Sequence, residues 1–320
     1  VPQDATAPSY LMWGLLLLFT TASATQDIAV DAYAVDVATP ETVGSINGTR
    51  VSAARAAMFA GGGGFLILAD LTGWTTLWVA LAVLLFSLAA VAWASPRVPL
   101  DSSARRNAIR PVLRWVFRRQ MVPVVLFVLL YKVGDSTLGR MVKPFWVARG
   151  SSLAEIGAIS VTLGTVLTIV GALAGGWVVN RIGIFRSLLW LGLAQLASNL
   201  GYVAVAAIEL PRESIYAASM IESFTQGLGT AAFLSFLMSL CDREHAATQY
   251  AMLSALFALT RDVAGAFTGL GVDAFGYTVF FVLTTALALP ALALLPLVRP
   301  RIGEGSLGGA GIPGSAVDPE

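Results

Sequence analysis

Long hydrophobic stretches, interrupted by only a few polar positions, run through most of this chain. Most of these stretches approach the roughly 20 residues that a helix needs to cross a ~30 Å hydrocarbon core. We therefore predict nine membrane-spanning helices, over residues 10–33, 53–69, 74–94, 121–147, 153–179, 184–208, 214–240, 247–271 and 275–298. Their connections are mostly short, which favours antiparallel neighbours. The pattern predicts an all-α membrane protein.

One connection is long and basic instead of apolar. Residues 95–120 hold seven arginines and indicate a linker between two helical halves. The predicted organisation is a shortened N-terminal half (1–94), the linker (95–120), a six-helix C-terminal half (121–298) and a tail (299–320). The Gly, Pro and Ser content of the tail predicts disorder.

Composition and charge agree with a membrane protein and suggest its orientation. Only 12% of residues are charged and the mean hydropathy is +0.77, whereas soluble domains carry about 25% charged residues. If the linker is cytoplasmic, that side holds fourteen arginines, with Arg50 and Arg55 counted as loop residues, against two outside. This asymmetry predicts a chain that starts outside and ends in the cytoplasm.

Acidic residues and an amide lie within the first predicted span. Gln26 and Asp27 are adjacent, and Asp31 follows one helical turn after Asp27 on the same face. Charges inside a bilayer are costly and usually face a cavity or a partner. The alternative is that these acids only cap or bridge helices near the membrane surface.

Further intramembrane polar residues occur in the second half of the chain. Lys132 and Asp135 are three residues apart on a helix and can pair; Asn199, Glu222 and Arg261 lie in later spans. A buried carboxyl can take up and release a proton, whereas an arginine stays charged and suits a fixed counter-ion. We expect a polar path enclosed by helices, although a structural ion pair and interhelical hydrogen bonds would also fit.

No sequence motif supports enzyme chemistry, a cofactor or a metal site. The chain has one cysteine and one histidine, and it lacks Walker, G-x-S-x-G and H-E-x-x-H motifs. We interpret Gly61–Gly64, and the G-x-x-x-G spacings at Gly171 and Gly265, as small residues that let membrane helices pack closely. The chain is therefore not expected to be an enzyme.

The stretch Gly175-Gly-Trp-Val-Val-Asn-Arg-Ile-Gly-Ile-Phe-Arg186 lies between two spans. It resembles the G-x-x-x-(D/N)-R-x-G-x-x-R loop of major facilitator transporters. Arg181 and Arg186 are then placed at a cytoplasmic gate, where they could hold acids or the negative ends of helix dipoles. A simple positive-inside anchor is the alternative.

Several further segments, in order, resemble the AmpG family of muropeptide permeases within that superfamily. They are Ser23-Ala-Thr-Gln-Asp-Ile-Ala-Val-Asp-Ala-Tyr33, Leu130-Tyr-Lys-Val-Gly-Asp135, Ala197-Ser-Asn-Leu-Gly-Tyr202 and Ala247-Thr-Gln-Tyr-Ala-Met-Leu-Ser-Ala-Leu256. The related acetyl-coenzyme A transporters share part of the Gln-Asp motif. The resemblance covers nearly the whole chain except the linker and the tail.

The resemblance implies a twelve-helix major facilitator fold that works by alternating access. The nine spans then correspond to helices four to twelve, so the first three helices are absent. Gln26, Asp27 and Asp31 would bind substrate or couple protons, and Asp27 is the preferred proton carrier. The residues that would line the central cavity are Lys132, Asp135, Asn199, Glu222 and Arg261.

The expected function is proton-coupled import of anhydromuropeptides from the periplasm through the bacterial inner membrane. The expected partners are a sugar-peptide substrate, protons and the lipid bilayer, with no nucleic acid and a monomeric state. The resemblance also leaves open another anionic solute, such as acetyl-coenzyme A, or a membrane fragment or sensor that transports nothing. Ala34 stands where relatives often carry a basic residue, which leaves the substrate open.

Overall fold

The computed structural model describes residues 10–95, 109–208, 210–242 and 245–302, and within these ranges the chain is helical apart from short turns. Before the linker lie α1 (Tyr10–Val37), α2 (Val43–Phe59), α3 (Phe65–Thr72) and α4 (Trp74–Ala94). After it follow α5 (Ile109–Val116), α6 (Val122–Tyr131), α7 (Val133–Ala148), α8 (Leu153–Glu155), α9 (Gly164–Ile182), α10 (Ile184–Ala207), α11 (Glu213–Ser239), α12 (Ala246–Ala266), α13 (Thr268–Ala286) and α14 (Leu289–Val298).

Five helical segments of the described chain are long and apolar enough to cross a membrane. They are Trp74–Ala94, Arg119–Ala148, Leu153–Ile182, Ile184–Ala207 and Thr268–Arg301. Large apolar side chains on α4 point away from the rest of the protein, as a lipid-facing helix requires: Trp78 and Trp93 are exposed. The prediction of an all-α membrane protein is confirmed.

Helices α2, α9, α10 and α11 form the packed centre of the protein. Gly175 on α9 lies so close to α11 that a Cβ added to it would stand 2.6 Å from the Leu228 carbonyl oxygen. Gly48 on α2 approaches the Ala172 carbonyl of α9 in the same way, at 2.6 Å. Small residues thus bring three backbones together, which is how membrane helices gain packing contacts without a hydrophobic driving force.

The interpretation of the other glycines as packing residues is wrong for those that the structure describes fully. A Cβ added to Gly62, Gly64 or Gly269 would meet nothing within 4 Å, and Gly265 faces the flexible side chain of Arg140 rather than a helix backbone. The glycine run instead forms a π-helical turn, Ala60–Gly64, between α2 and α3. Spacing alone does not reveal whether a second helix passes the small face.

The second predicted span starts ten residues too late. Helix α2 begins at Val43, so Arg50 and Arg55 lie inside a helix rather than in a cytoplasmic loop. The first turns of α2 are polar, yet Asn47 and Ser52 are buried and hydrogen-bonded: Asn47 donates to the Val43 carbonyl and Ser52 to the Gly48 carbonyl. Polar residues satisfied by neighbours lower the hydropathy of a helix without ending it.

Two further spans contain breaks that hydropathy does not predict. The span from 121 to 147 is interrupted at Lys132, whose backbone is not helical (φ −110°, ψ 1°), between α6 and α7. The predicted span from 275 to 298 is interrupted at Leu287 and Ala288, between α13 and α14, whereas Gly276, with a positive φ of 73° inside α13, lies at the predicted start of that span. Discontinuous helices in transporters expose backbone groups near polar sites.

Part of the predicted linker is folded. Residues 96–108 lie outside the described residues, but Ile109–Val116 form helix α5, and Val112 and Val116 are buried. At the other end of the chain, Arg299–Arg301 continue α14 as a short 3₁₀ turn, and Arg301 donates to Gln120 at 3.0 Å. The predicted disorder of the tail beyond Ile302 concerns residues outside the description.

Candidate functional site

A buried ion pair lies at the break between α6 and α7. Lys132 Nζ is 2.8 Å from Asp135 Oδ2, and the two residues are 5% and 4% exposed. The interruption of the helix at Lys132 places its ammonium group over the first turn of α7, where Asp135 lies. Each charge would be strongly destabilising without the other, because both side chains are buried away from bulk water.

Helix α10 completes this pair with two amides. Gln195 Nε2 donates to Asp135 Oδ1 at 2.7 Å, so both carboxylate oxygens of Asp135 accept a hydrogen bond. Asn199 lies one turn further along α10 and is 1% exposed. Gln195 Oε1 and both amide atoms of Asn199 have no hydrogen-bond partner. Because buried polar atoms are normally satisfied, these atoms mark a place for a water molecule or a polar ligand.

A small cavity of about 20 Å³ lies beside these atoms. It has room for about one water molecule, and its lining includes Tyr131, Lys132, Asp135, Gln195 and Asn199. On α11, Gly229 leaves the cavity open, since a Cβ there would be 3.6 Å from Lys132 Nζ. The charged and amide side chains at its wall can exchange hydrogen bonds with one water molecule or one small polar group.

Helix α11 adds a second acid to the site. Glu222 is 7% exposed, and Gln226 Nε2 donates to its Oε1 at 3.3 Å. The Oε1 atom of the same amide accepts a hydrogen bond from Arg55 Nη2 of α2 at 3.1 Å. The charged groups that act on Glu222 are Asp135, Lys132 and Arg55. The site therefore joins a helix before the linker to helices after it.

The predicted residues of the first span are separated by the structure. Gln26 and Asp27 lie on the exposed part of α1, apart from the buried cluster. Asp31, one turn further on, forms an ion pair with Arg50 of α2. Arg50 also lies over the ring of Tyr250 on α12, 5.6 Å from its centroid. Asp31 thus belongs to a contact among three helices.

Arg261 also lies apart from the buried cluster. Its side chain is 46% exposed, and its Nε atom is 3.2 Å from Asp262 Oδ1. Arg140 Nη2 is 2.9 Å from the same carboxylate oxygen. Asp262 therefore serves as the local partner of two arginines, and the arginine that approaches Glu222 is Arg55, through the amide of Gln226.

Arg181 and Arg186 flank the turn between α9 and α10, where Gly183 has a positive φ of 80°. Both are exposed, and Arg181 lies over the Trp177 ring at 5.3 Å. The neighbouring Asn180 makes the contact to α2: its Oδ1 accepts from the Gly44 amide at 2.8 Å. Within this motif, the amide rather than either arginine bonds α9 to α2.

The predicted site residues do not include Arg55, Gln195 or Gln226, although Gln195 and Gln226 are polar positions within the predicted spans. Gln226 and Glu222 are one helical turn apart, which is a usable signal for a hydrogen bond between them. No comparable spacing indicated Arg55. The polar first turns of α2 made the start of this helix resemble a loop, and Arg55 was counted with that loop. Its role depends on how α2 packs against α9 and α11.

An enclosed polar site among apolar helices defines a membrane transport protein, and sequence comparison agrees. The sequence profile of the Major Facilitator Superfamily matches residues 5–261. The chain therefore belongs to the Major Facilitator Superfamily, whose members are transporters and not enzymes.

Relatives narrow the class further. The anhydromuropeptide permease of Escherichia coli K12 is 34% identical over 297 residues, which cover 91% of this chain and 60% of that protein. AmpG 4, a candidate transporter of Rickettsia felis, is 31% identical over 88% of this chain and 70% of its own length. The chain thus spans about 60% of the length of the permease that it resembles. The resemblance to AmpG-like transporters is confirmed.

Proposed function

We propose that the protein imports anhydromuropeptides, or closely related sugar-peptides, from the periplasm to the cytoplasm. The observation that carries this proposal is the buried site formed by Lys132, Asp135, Gln195, Asn199 and Glu222. It offers a cation, two acids and two amides that have unsatisfied polar atoms. A sugar-peptide presents hydroxyl, amide and carboxylate groups, which these side chains can bind together.

Alternating access of two halves would carry the substrate past this site. We propose that residues 1–94 belong to the first half and 121–298 to the second, with the linker and the C-terminus in the cytoplasm. Asn180 and Gly44 then lie at a cytoplasmic contact between the halves, as do Asp31, Arg50 and Tyr250. These contacts support a conformation closed on the cytoplasmic side.

Proton coupling is the second part of the proposal. Asp27, Asp31, Asp135 and Glu222 are the candidate carriers. Asp31 forms an ion pair with Arg50, and Asp135 forms one with Lys132. The two carriers to be tested first are Glu222, whose side-chain hydrogen bond comes from the neutral amide of Gln226, and Asp27, which is exposed on α1. Arg261 is proposed to act near the outer surface, through Asp262, rather than within the enclosure.

Uptake of labelled anhydromuropeptide tests this function. Cells that lack their own permease would express the gene as wild type, Asp27→Asn, Glu222→Gln or Asn199→Ala, each with and without a protonophore. We expect wild-type uptake that the protonophore abolishes. If uptake is lost in Glu222→Gln but retained in Asp27→Asn, proton coupling is assigned to Glu222. If uptake is lost in Asp27→Asn but retained in Glu222→Gln, coupling is assigned to Asp27 on α1.

A matched control guards against loss of folding. Glu155 is the last residue of α8, pairs with Arg212 and lies outside the buried site. Cells that express Glu155→Gln should therefore take up as much anhydromuropeptide as cells that express the wild type. Absence of uptake by a well-expressed, membrane-inserted wild type would reject the muropeptide substrate. Labelled acetyl-coenzyme A would then test the other anionic solute.

A further inference from the structure

Glu222 differs from the other buried acid of the site in its partners. Asp135 has an ammonium group 2.8 Å away. In the described part of the chain, no lysine or arginine nitrogen pairs with Glu222 within 4.0 Å, and its side-chain hydrogen bond comes from the neutral amide of Gln226. A buried carboxyl held only by a neutral donor gains less from ionisation than one held by a cation.

The side-chain amide of Gln226 lies between Arg55 and Glu222, and the chemistry of arginine determines which amide atom faces which residue. Arg55 can only donate hydrogen bonds, so the oxygen of the Gln226 amide must face it. The amide nitrogen of Gln226 then faces Glu222 and donates to it. Arg55 thus presents its positive charge to Glu222 through one side-chain amide, and a carboxylate is a stronger acceptor for that donor than a protonated carboxyl.

The two ends of this bridge are on different halves of the proposed transporter. Arg55 is on α2, about 18 Å along the helix from Val43 at 1.5 Å per residue, whereas Glu222 and Gln226 are on α11. Helix α2 reaches α11 while its glycines pack against α9, where a Cβ on Gly48 would stand 2.6 Å from the Ala172 carbonyl oxygen. Any separation of α2 from α9 and α11 withdraws Arg55.

We infer that Arg55, Gln226 and Glu222 form a proton-responsive link that holds α2 against α11. With Glu222 ionised, the positive charge of Arg55 favours the packed arrangement. A proton taken from water by Glu222 removes the negative charge, weakens the bridge and lets α2 separate; the proton returns to water from the separated state. This inference deepens the proposed function, because it states how proton uptake would release the contact between the halves.

The other charged and titratable groups around Glu222 do not replace Arg55 in this role. Lys132 and Asp135, at the break between α6 and α7, neutralise each other. Tyr202 faces Glu222 from α10 and carries no charge near neutral pH. All of these groups follow the linker in the chain, so Arg55 is the charge that leaves when α2 moves. By linkage, withdrawal of a positive charge favours the protonated acid, and protonation favours withdrawal.

Distance measurement by pulsed electron paramagnetic resonance tests the link without any substrate. Spin labels would be attached to cysteines at Thr49 on α2 and Ile182 at the end of α9, both exposed. The native Cys241 is buried and free, and the unsubstituted protein measures its background labelling. The full protein, in lipid nanodiscs, would be measured from pH 5 to pH 8.5.

We expect the wild type to shift from a short to a long distance on acidification. A single coupled proton limits the change in the population ratio to about tenfold per pH unit. Glu222→Gln should stay largely in the long-distance state at every pH. Gln226→Ala, which keeps both charges, should reduce the pH response at least threefold, and Glu222→Asp, which keeps an acid, should retain a response.

Glu155→Gln makes the same chemical change outside the site and should titrate like the wild type. A wild-type distance that does not change with pH, or a Glu222→Gln variant that titrates like the wild type, would overturn the link. If the distances respond as expected but anhydromuropeptide is not taken up, the substrate proposal fails and the link stands. If anhydromuropeptide is taken up but the distances do not respond to pH, only the link is rejected.

Discussion

Removal of either member of the Lys132–Asp135 ion pair should destabilise the folded protein far more than removal of both. The two residues are 5% and 4% exposed, and their charged atoms are 2.8 Å apart. Breaking a buried pair by removing one partner costs about 3–5 kcal/mol, because the remaining charge is left without compensation. We therefore expect Lys132→Met and Asp135→Leu each to cost about 3 kcal/mol or more.

The double variant should recover most of this loss. Apolar replacement of a whole buried pair is often neutral or stabilising, although Gln195 then loses its acceptor, which costs about 1–3 kcal/mol. The coupling energy from a double-mutant cycle should thus exceed about 2 kcal/mol. Reversible unfolding of purified protein in mixed micelles would measure all four variants.

An exposed pair supplies the matched control for this cycle. Arg140 Nη2 is 2.9 Å from Asp262 Oδ1, but the side chains are 42% and 60% exposed. Exposed pairs contribute about 0–1 kcal/mol, so Arg140→Met and Asp262→Leu should show little coupling. If the buried and exposed cycles give the same coupling energy, the assignment of Lys132 and Asp135 to a dehydrated enclosure is wrong.

Three further outcomes follow from single positions. Gly175→Leu should prevent α9 from packing against the Leu228 carbonyl of α11 and abolish the yield of folded protein in size-exclusion chromatography. Asn199→Ala should raise the KM for uptake about tenfold while changing the unfolding free energy by less than about 1 kcal/mol, since its amide atoms bond nothing in the protein. The Thr39 hydroxyl lowers the pKa of the exposed Glu41; Thr39→Ala should return that pKa toward its ordinary value in an NMR titration.

Each of these outcomes has its own check. Gly62→Leu should fold normally, because nothing lies within 4 Å of a Cβ there. If Gly62→Leu loses as much folded protein as Gly175→Leu, the contact with α11 is not the cause of the loss. A large loss of stability in Asn199→Ala would mean that the amide supports the fold. The hydrogen bond to Glu41 favours its carboxylate, so its contribution is present above the unfolded-state pKa and disappears as the pH falls through the lowered folded-state pKa. An unchanged Glu41 titration in Thr39→Ala would refute that cause.

Periodicity and composition were sufficient to predict the class of the fold. Apolar stretches near the length of a bilayer crossing have few alternatives to the membrane-spanning helix, because lipid cannot satisfy an open backbone. The ion pair of Lys132 with Asp135 was also predictable, since the two residues are only three positions apart. The resemblance of ordered motifs added the transporter family.

Helix limits were less predictable where polar residues are buried. Val43–Phe59 is a helix whose first turns include Asn47 and Arg50, and hydropathy alone excluded them. The buried amide of Asn47 bonds to its own helix and to Ser235 of α11, so its polarity is satisfied without water. Only the neighbouring helices supply that partner, and a sequence window contains no information about them.

Membership of the site was decided by tertiary packing. The sequence alone predicts that acids, amides and basic residues lie within apolar helices, because the position of a residue within a span is a local property. It could not determine that Arg55 reaches Gln226 across 171 positions, or that Arg261 stays at the surface with Asp262. Those outcomes depend on which helix faces meet, and the close approach of glycine-lined backbones in three dimensions sets that choice.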